Sequence, residues 1–336
     1  YAEKLRKAKY DLDDSALRPY FSLDNTRDGA FAVANKLYGI TFTRIGNIPL
    51  PHPDAEAYEV KEADGSHVGV LYMDFFPRDS KRQGAWCGGY RDHKVIDGKE
   101  ITPVVTIVCN FTPPAGDTPA LLSMDEVSTL FHEFGHGLQG LFSDNVYANT
   151  TVAWDIVELP SQIMEHWVTE PEVLNMYAKH YQTDEVIPQE LIEKLKNSSY
   201  FNTGFDNVEV MAASLLDMAY YSLEAPAAVD VEKFEKQEMA KIGLIKEIEP
   251  RYRSTYFLHM VGGYDAGYYV YTWAAVLDND AFEAFREKGI FDQATATSFR
   301  KNVLEKMGTM DAEKMYLNFR GAEPKIEPLL KNRGLN

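Results

Sequence analysis

The chain has 336 residues, of which 45% are hydrophobic and 25% are charged, an ordinary composition for a globular protein with enough material for a large core. Its formal charge of −17 argues against a basic surface for nucleic acid. No apolar run of about 18 residues, the length that indicates a membrane-spanning helix, occurs in the sequence. We therefore expect neither nucleic acid nor a membrane as a partner.

The two cysteines, Cys87 and Cys109, are too few for a disulfide framework, and we expect them to be free and partly buried. The chain begins at Tyr1, without a methionine or an apolar signal-like segment. We therefore expect a piece of a longer polypeptide that works in the cytoplasm, although the periplasm or secretion is not excluded.

The first third of the chain predicts helices followed by a small sheet. Residues 1–20 predict a charged helix, and Asp24 is the candidate N-cap of a second helix that stops at Gly39. Asp64 and Gly65 predict a hairpin turn. The predicted strands, rich in β-branched and aromatic residues, are 41–45, 57–62, 68–75 and 104–111.

From Ser123 onward the pattern is almost wholly helical. The predicted helices are 124–142, 155–169, 172–183, 188–199, 206–224, 230–242, 264–284, 293–306 and 311–320. The predicted fold class is therefore mainly α with a small β-sheet. We expect a single catalytic domain over residues 1–336, with a helix-and-sheet portion (1–122) and a helical zinc-binding portion (123–336).

The pattern H-E-x-x-H occurs at His132, Glu133 and His136. On a helix, the two histidines lie one turn apart and present two imidazole nitrogens to one small cation, with Glu133 placed to hold a water molecule. Neutral imidazoles suit zinc. A surface helix with two chance histidines is the alternative. However, Ser123 and Glu126 form a capping box just before an apolar helical stripe, so a helix is expected here. This context favours the metal site, and we expect one Zn²⁺ ion per chain.

Gly135 and Gly137 interrupt this predicted helix. Because glycine inside a helix costs roughly 1 kcal/mol relative to alanine, their presence needs a reason. We expect another element or a substrate to approach closely at these positions.

A third zinc ligand is expected in residues 154–167, which a short connection from residue 142 would bring back beside the histidines. Four side chains in this stretch are candidates, and spacing alone does not choose among them: Asp155, Glu158, Glu165 and His166.

Several stretches resemble the thimet oligopeptidase family of zinc peptidases, and within it the bacterial dipeptidyl carboxypeptidase branch. The matching stretches are residues 35–39, 84–86, 108–111, 120–123, 132–139, 157–162, 165–167, 251–254 and 333–336. The resemblance covers essentially the whole chain. It implies a zincin-type catalytic lobe with the H-E-x-x-H helix in a helical bundle, and it implies that Glu158, in the V-E-x-P-S-Q motif, is the third ligand.

The resemblance also implies roles for four residues after position 252, because the matching family residues face the zinc and bind the substrate carbonyl or the oxyanion. These residues are His259, Tyr264, Tyr268 and Tyr271. From spacing alone, the tyrosines fall at i, i+4 and i+7 of a predicted helix, where an aromatic core stripe is the alternative. A phenol donor suits developing negative charge, and Gly262 with Gly263 would let the segment close over a substrate.

Other polar residues near these motifs have less specific interpretations. Asp155 and Glu165 are candidates to orient the zinc-binding imidazoles, and His166 is interpreted as structural. Arg251 and Arg253 would pair with a peptide carboxylate or lie solvated at the surface. The remaining histidines are interpreted as exposed bystanders: His52, His67, His93 and His180.

We therefore expect a zinc metallopeptidase that hydrolyses short peptides and releases C-terminal dipeptides, with Glu133 as general base. An endo-acting oligopeptidase and an inactive peptide-binding module are the alternatives. The stretch 104–111 is expected to pair with the substrate as an added strand. Family members are about twice as long, and their N-terminal half forms the opposite wall of a channel. An N-terminal half or self-association is therefore expected to complete the channel.

Overall fold

The computed structural model describes residues 1–148, 150–225 and 228–335 of the chain. The elements up to the end of the sheet are α1 (Ala2–Tyr10), α2 (Asp14–Leu17), α3 (Leu23–Tyr38), β1 (Thr41–Arg44), β2 (Glu56–Lys61), β3 (His67–Asp74), β4 (Trp86–Arg91), β5 (Lys94–Ile96), β6 (Lys99–Ile101) and β7 (Val104–Val108). The predicted class, mainly α with a small sheet, is confirmed.

The elements after the sheet are helical throughout the described residues. They are α4 (Met124–Phe142), α5 (Trp154–Val157), α6 (Leu159–Val168), α7 (Pro171–Tyr177), α8 (Gln189–Ser198), α9 (Thr203–Tyr221), α10 (Val231–Lys241), α11 (Val270–Lys288), α12 (Gln293–Phe299), α13 (Ala312–Arg320) and α14 (Glu327–Asn332). Across the part of the chain that is described, none of the helices combines the length and the apolar character needed to cross a membrane.

The main sheet has five strands in the order β1-β2-β3-β7-β4, and β5 pairs with β6 separately. Strands β3 and β7 are parallel, while the other neighbours are antiparallel. The predicted turn at Asp64 and Gly65 joins β2 to β3, with Gly65 at φ +86°. Strand β4 was not predicted from the sequence, because Gly88 and Gly89 lie within it and glycine is depleted in strands.

The predicted pairing of a substrate with residues 104–111 is wrong. Strand β7 lies inside the sheet, where Val104 pairs with Val70 of β3 and Val108 pairs with Trp86 of β4. Each strand has two hydrogen-bonding edges, and both edges of β7 are therefore used. The free edge on this side of the sheet belongs to β4.

Two helix boundaries differ from the prediction for local reasons. Helix α3 is capped by Ser22 rather than Asp24, because the Ser22 hydroxyl accepts the backbone N–H of Asn25 at 3.3 Å. It stops at Gly39 (φ +74°), as predicted. The predicted helix 155–169 is divided into α5 and α6 at Glu158, and Pro160 occupies the first turn of α6.

The predicted helix 264–284 begins only at Val270. The preceding residues cannot join it, because Ala266 has φ +54° and the backbone N–H groups of Ala266 and Tyr268 donate to the side chain of Asp217. The predicted alignment of three tyrosines along one helical face is therefore wrong. Tyr264 and Tyr268 lie in the loop that precedes the helix.

Helix α4 lies between the sheet and α6. A Cβ at Gly137 would meet Ile107 of β7 at 3.0 Å, and a Cβ at Gly135 would meet the carbonyl oxygen of Pro160 in α6 at 2.1 Å. The expected close approach at both glycines is therefore confirmed, and it is made by neighbouring elements. The contact at Gly135 brings the beginning of α6, and with it Glu158, against the two histidines.

Alanine is a better helix former than glycine. We nevertheless expect Gly135→Ala to lower the free energy of unfolding by about 1–3 kcal/mol, the usual cost of overpacking. The added methyl group would collide with a backbone oxygen, which cannot rotate away. Gly137→Ala is the matched control on the same helix, because its methyl group would meet only the flexible end of Ile107. Urea unfolding followed by circular dichroism measures both variants. Equal stabilities would contradict a tight contact between α4 and α6.

Candidate active site and metal centre

Helix α4 presents the two motif histidines on one face. The predicted capping box fixes its start, because Ser123 Oγ accepts the backbone N–H of Glu126 at 3.2 Å and Glu126 Oε2 accepts that of Ser123 at 2.8 Å. The rings of His132 and His136 lie 5.2 Å apart between centroids. Their Nε2 atoms lie 3.3 and 3.1 Å from the same oxygen, Glu158 Oε2.

Glu158 is buried at the junction of α5 and α6, with 1% of its surface exposed. The hydroxyl of Ser161 donates to Oε2 at 2.7 Å, and that of Tyr264 donates to Oε1 at 2.6 Å. Burial alone would raise the pKa of Glu158. The neighbouring His136 and His132 outweigh burial and hold that pKa well below its usual range, so the carboxylate is ionised.

The donor atoms of His132, His136 and Glu158 lie within 4.8 Å of one another. A tetrahedral ion that binds each ligand at about 2.0–2.2 Å places neighbouring ligand atoms about 3.4 Å apart. The two measured separations to Glu158 Oε2 are close to that value. Two imidazoles and one carboxylate therefore fit a divalent metal ion, and Glu158 is the one of the four candidates that joins the histidines.

The other three candidates have different partners. Glu165 Oε1 accepts the Nδ1–H of His132 at 2.7 Å, which is the orienting contact expected of it. Asp155 accepts a hydrogen bond from Tyr269 at 2.6 Å rather than from either imidazole, so its expected orienting role is wrong. His166 bonds to Asp278 at 2.7 Å and stacks on Phe282, as expected for a structural histidine.

Glu133 points into the same region without a protein partner for one of its oxygens. The side chain is 5% exposed, and within the described residues its Oε2 atom is buried and unbonded. Burial raises the pKa of Glu133, while His132 and His136 act in the opposite direction. A buried carboxylate with a free oxygen beside three candidate ligands can accept a proton from a water molecule there.

The predicted aromatic residues meet even though they do not share a helix. The ring of His259 lies 5.4 Å from that of Tyr264, 5.1 Å from Tyr268 and 6.1 Å from Tyr271. Tyr264 and Tyr271 are stacked at 5.7 Å, and the phenol of Tyr264 reaches Glu158. Tyr268 is 4% exposed and packs on Phe257, so its surroundings are those of a core residue.

The surroundings of His259 favour its neutral form. Burial lowers the pKa of His259, the cations of Arg82 and Arg251 lower it further, and Glu158 opposes them. Among the described residues, its Nδ1 atom is buried without a hydrogen-bond partner. The ring can therefore donate or accept one hydrogen bond toward a molecule bound in the site.

The remaining charged candidates lie outside the cluster. Arg253 pairs with Glu235 and with Glu249 at 3.0 Å, which argues against a role with a substrate carboxylate, whereas Arg251 lies 3.7 Å from Glu209. The bystander histidines contact other residues: His52 with Asp54, His67 with Glu59, His93 with Asn145 and His180 with Gln182. His93 is buried, contrary to the expected exposure.

Three supporting residues were not predicted from the sequence. Ser161 bonds to Glu158, Gln162 donates to the carbonyl of Tyr271 at 3.1 Å, and Asp217 holds the loop that carries Tyr264 and Tyr268. For Ser161 and Gln162, the available sign in the sequence was that two polar residues directly follow Pro160. Asp217 gave no signal, because it lies within an ordinary helical pattern.

Two curated bacterial peptidases are similar to this chain along its whole length. The chain is 43% identical over 343 residues to a dipeptidyl carboxypeptidase of Escherichia coli (strain K12), and 35% identical over 347 residues to oligopeptidase A of the same organism. Both matches cover 100% of this chain and 50% of the relative, so the chain spans about half the length of these curated proteins.

The fold also resembles a solved structure titled "BsuCP Crystal Structure", with a TM-score of 0.52 and 13% identity over 99% of this chain and 62% of that one. The model of "Peptidase family M3" matches residues 1–335. Because this family model spans nearly the whole sequence, the chain belongs to peptidase family M3.

Proposed function

We propose that this chain is the catalytic part of a zinc metallopeptidase that hydrolyses short peptides, with one Zn²⁺ ion held by His132, His136 and Glu158. The observation that carries the proposal is the convergence of both imidazoles on the Glu158 carboxylate, beside the unbonded oxygen of Glu133. Zinc suits two nitrogen ligands and one oxygen ligand, and it leaves a position for a water molecule.

Zinc held by His132, His136 and Glu158 would supply the polarisation of the scissile carbonyl and of the attacking water. Glu133 accepts the proton of that water and later donates it to the leaving amine. Burial acts to raise the pKa of Glu133 and thereby favours proton uptake by this carboxylate. Glu165 keeps the ring of His132 in one orientation and tautomer, since it accepts the Nδ1–H at 2.7 Å.

We assign the aromatic residues to the oxyanion and to peptide positioning. Tyr264 and Tyr271 form a stacked pair beside Glu158. The Tyr264 hydroxyl donates to Glu158 in the structure, so in this proposal it turns from Glu158 to the carbonyl oxygen when a substrate binds, and the Tyr271 hydroxyl donates beside it to the developing negative charge. His259 faces the same pair with a free ring nitrogen. Tyr268 is buried behind them, and we therefore assign it to positioning rather than to direct contact.

A peptide would bind along the free edge of β4. Cys87 of this strand lies near Glu133, which contributes to the raised pKa of the Cys87 thiol after the larger effect of burial. A peptide that adds to this edge would therefore pass beside the candidate base. This placement replaces the predicted pairing of the substrate with β7. It uses the backbone groups on the free edge of β4.

The release of C-terminal dipeptides is the favoured specificity, supported by the 43% identity to a dipeptidyl carboxypeptidase. An endo-acting oligopeptidase is the second candidate, supported by the 35% identity to oligopeptidase A. An inactive peptide-binding module is the third, and the intact set of His132, Glu133, His136 and Glu158 argues against it.

We further propose that the chain acts as one unit in the cytoplasm, with the periplasm and secretion as alternatives, and that an N-terminal half or a second copy of this chain completes its channel. One hydrophobic cluster includes residues from Leu12 to Tyr316, which supports a single catalytic domain. The relatives are twice as long, which supports a missing wall supplied by an N-terminal half or by a second copy of this chain. Without this wall, a peptide loses contacts that position its scissile bond.

The test is a cleavage map of one short peptide with a free C-terminus and of its C-terminally amidated form. The zinc-loaded chain is assayed alone and together with the N-terminal half of the Escherichia coli dipeptidyl carboxypeptidase. We expect a low kcat/KM alone, a higher value with the added half, and dipeptide release from the free peptide only. Equal internal cleavage of both peptides would favour the endo-acting alternative, whereas peptide binding without cleavage in either assay would contradict a peptidase.

A further inference from the structure

Residues 262–269 form a loop between the 3-10 turn Leu258–Val261 and helix α11, and this tyrosine loop carries the contact to the candidate metal ligand. The hydroxyl of Tyr264 donates to Glu158 Oε1 at 2.6 Å. The loop has two backbone positions in the left-handed region, Gly263 at φ +115° and Ala266 at φ +54°. Such a conformation costs free energy at alanine, so something outside the loop must maintain it.

Asp217 of α9 is the group that maintains this conformation. Its Oδ1 accepts the N–H of Ala266 at 3.2 Å and its Oδ2 accepts the N–H of Tyr268 at 3.1 Å. The side chain is fully buried, with 0% of its surface exposed. One carboxylate therefore binds two backbone groups on either side of the strained turn.

The carboxylate is held by these amides and not by a cation. Within the described residues no lysine, arginine or histidine forms an ion pair with Asp217, while Asp265 lies near enough to repel it. Burial raises the pKa of Asp217, and the N–H donors of the loop act against this effect. A buried carboxylate without a counter-ion is costly unless its oxygens are hydrogen-bonded, and both oxygens of Asp217 accept a backbone N–H of the loop.

Helix α9 supports the same segment at a second point, one turn further along. The hydroxyl of Tyr221 donates to the carbonyl of Met260, just before the loop. Ala213, one turn before Asp217, packs with Phe257 and Tyr268. The helix thus holds both ends of the segment that bears His259 and Tyr264, and Asp217 is the α9 side chain that accepts the N–H groups of the strained turn.

We propose that Asp217 is a positioning residue, which fixes the tyrosine loop and thereby places Tyr264 and its neighbours at the candidate metal centre. This inference rests on the proposed function. It assigns to α9 a role in catalysis, although no side chain of α9 bonds to His132, His136 or Glu158 among the contacts described.

The main test compares Asp217→Asn with Asp265→Asn. Both changes remove one negative charge from the same region, but Asp265 is exposed and only Asp217 receives the amides of the loop. In Asp217→Asn, we expect kcat to fall about 10–100-fold with little change in KM, as for a misplaced reacting group. We expect unchanged zinc stoichiometry, and faster hydrogen–deuterium exchange at Ala266 and Tyr268. Asp265→Asn should neither lower kcat nor speed exchange at Ala266 and Tyr268, because Asp265 accepts neither of these amides and its loss only removes a repulsion of Asp217.

A double-mutant cycle with Tyr264→Phe identifies the route of the effect. If Asp217 acts through Tyr264, the double variant should lose less kcat than the product of the two single losses. A folded Asp217→Asn variant with parental exchange and parental kcat would overturn the proposal. If that variant does not fold, Asp217→Glu replaces it, because the longer side chain keeps the charge and displaces the loop; parental kcat would then overturn the proposal.

The exchange measurement also separates two kinds of failure. It reports on the loop in the zinc-loaded chain whether or not any peptide is cleaved. No cleavage by the parent chain would contradict the proposed function. Parental exchange in Asp217→Asn would contradict the anchoring of the loop in either case.

Discussion

Glu133→Gln is expected to bind zinc as the parent chain does and to lose about 10²–10⁴-fold in kcat, the usual effect of removing a general base. The amide has nearly the same shape as the carboxylate but cannot accept a proton from water. The free oxygen of Glu133 makes this change specific, because within the described residues no protein hydrogen bond to that atom is lost.

Zinc content by elemental analysis and steady-state kinetics on one peptide measure this result. Glu126→Gln is the matched control, since it makes the same chemical change on the same helix, where glutamine can still serve in the capping box. Its kcat should equal that of the parent. Near-parental turnover by zinc-loaded Glu133→Gln would remove Glu133 from its proposed role.

The second large effect is expected on metal affinity. Glu158→Gln should weaken zinc binding by more than 100-fold, whereas Glu165→Gln should weaken it by about 10–100-fold, the usual range for a partner that only orients a ligand. Glu158 contacts both imidazole Nε2 atoms, whereas Glu165 contacts the Nδ1 atom of His132 and accepts a hydrogen bond from Ser128. The two variants therefore differ in position and not in chemistry.

Competition against a chelating dye of known affinity measures both dissociation constants. The order of the two losses is the decisive result. Parental affinity in Glu158→Gln would exclude it as a ligand, and equal losses in both variants would show that the two glutamates contribute alike. Circular dichroism confirms that each variant is folded before its affinity is interpreted.

The helix that carries the two histidines could be predicted from the sequence in detail, because all of its signals are local. Its capping box, its apolar stripe and the spacing of its histidines lie within residues 123–142. The third ligand could not be selected in this way. Four acidic or imidazole side chains follow within a short stretch, and the choice depends on which one the contact between Gly135 and Pro160 turns toward the histidines.

The loop before α11 shows a different limit. Its sequence suits a helix, and a helix there would align three tyrosines. The deciding interaction is the bonding of its backbone amides to Asp217, about 50 residues earlier in the chain, and spacing within the loop carries no sign of it. The position of β7 inside the sheet could not be predicted either, because it depends on pairing with the glycine-containing strand β4.

The order of these elements along the chain has a consequence for folding. The candidate ligands lie in α4 and at the start of α6, which are close to each other in sequence. Because the connection between these helices is short, little entropy is lost in closing it. The bond between Tyr264 and Glu158, in contrast, joins residues 106 positions apart. Helices α4 and α6 can therefore associate early, before the distant aromatic residues are in place. A chain that has folded only this far already presents the ligand atoms for a metal ion and the candidate base Glu133, and still lacks the aromatic residues that are proposed to contact the substrate.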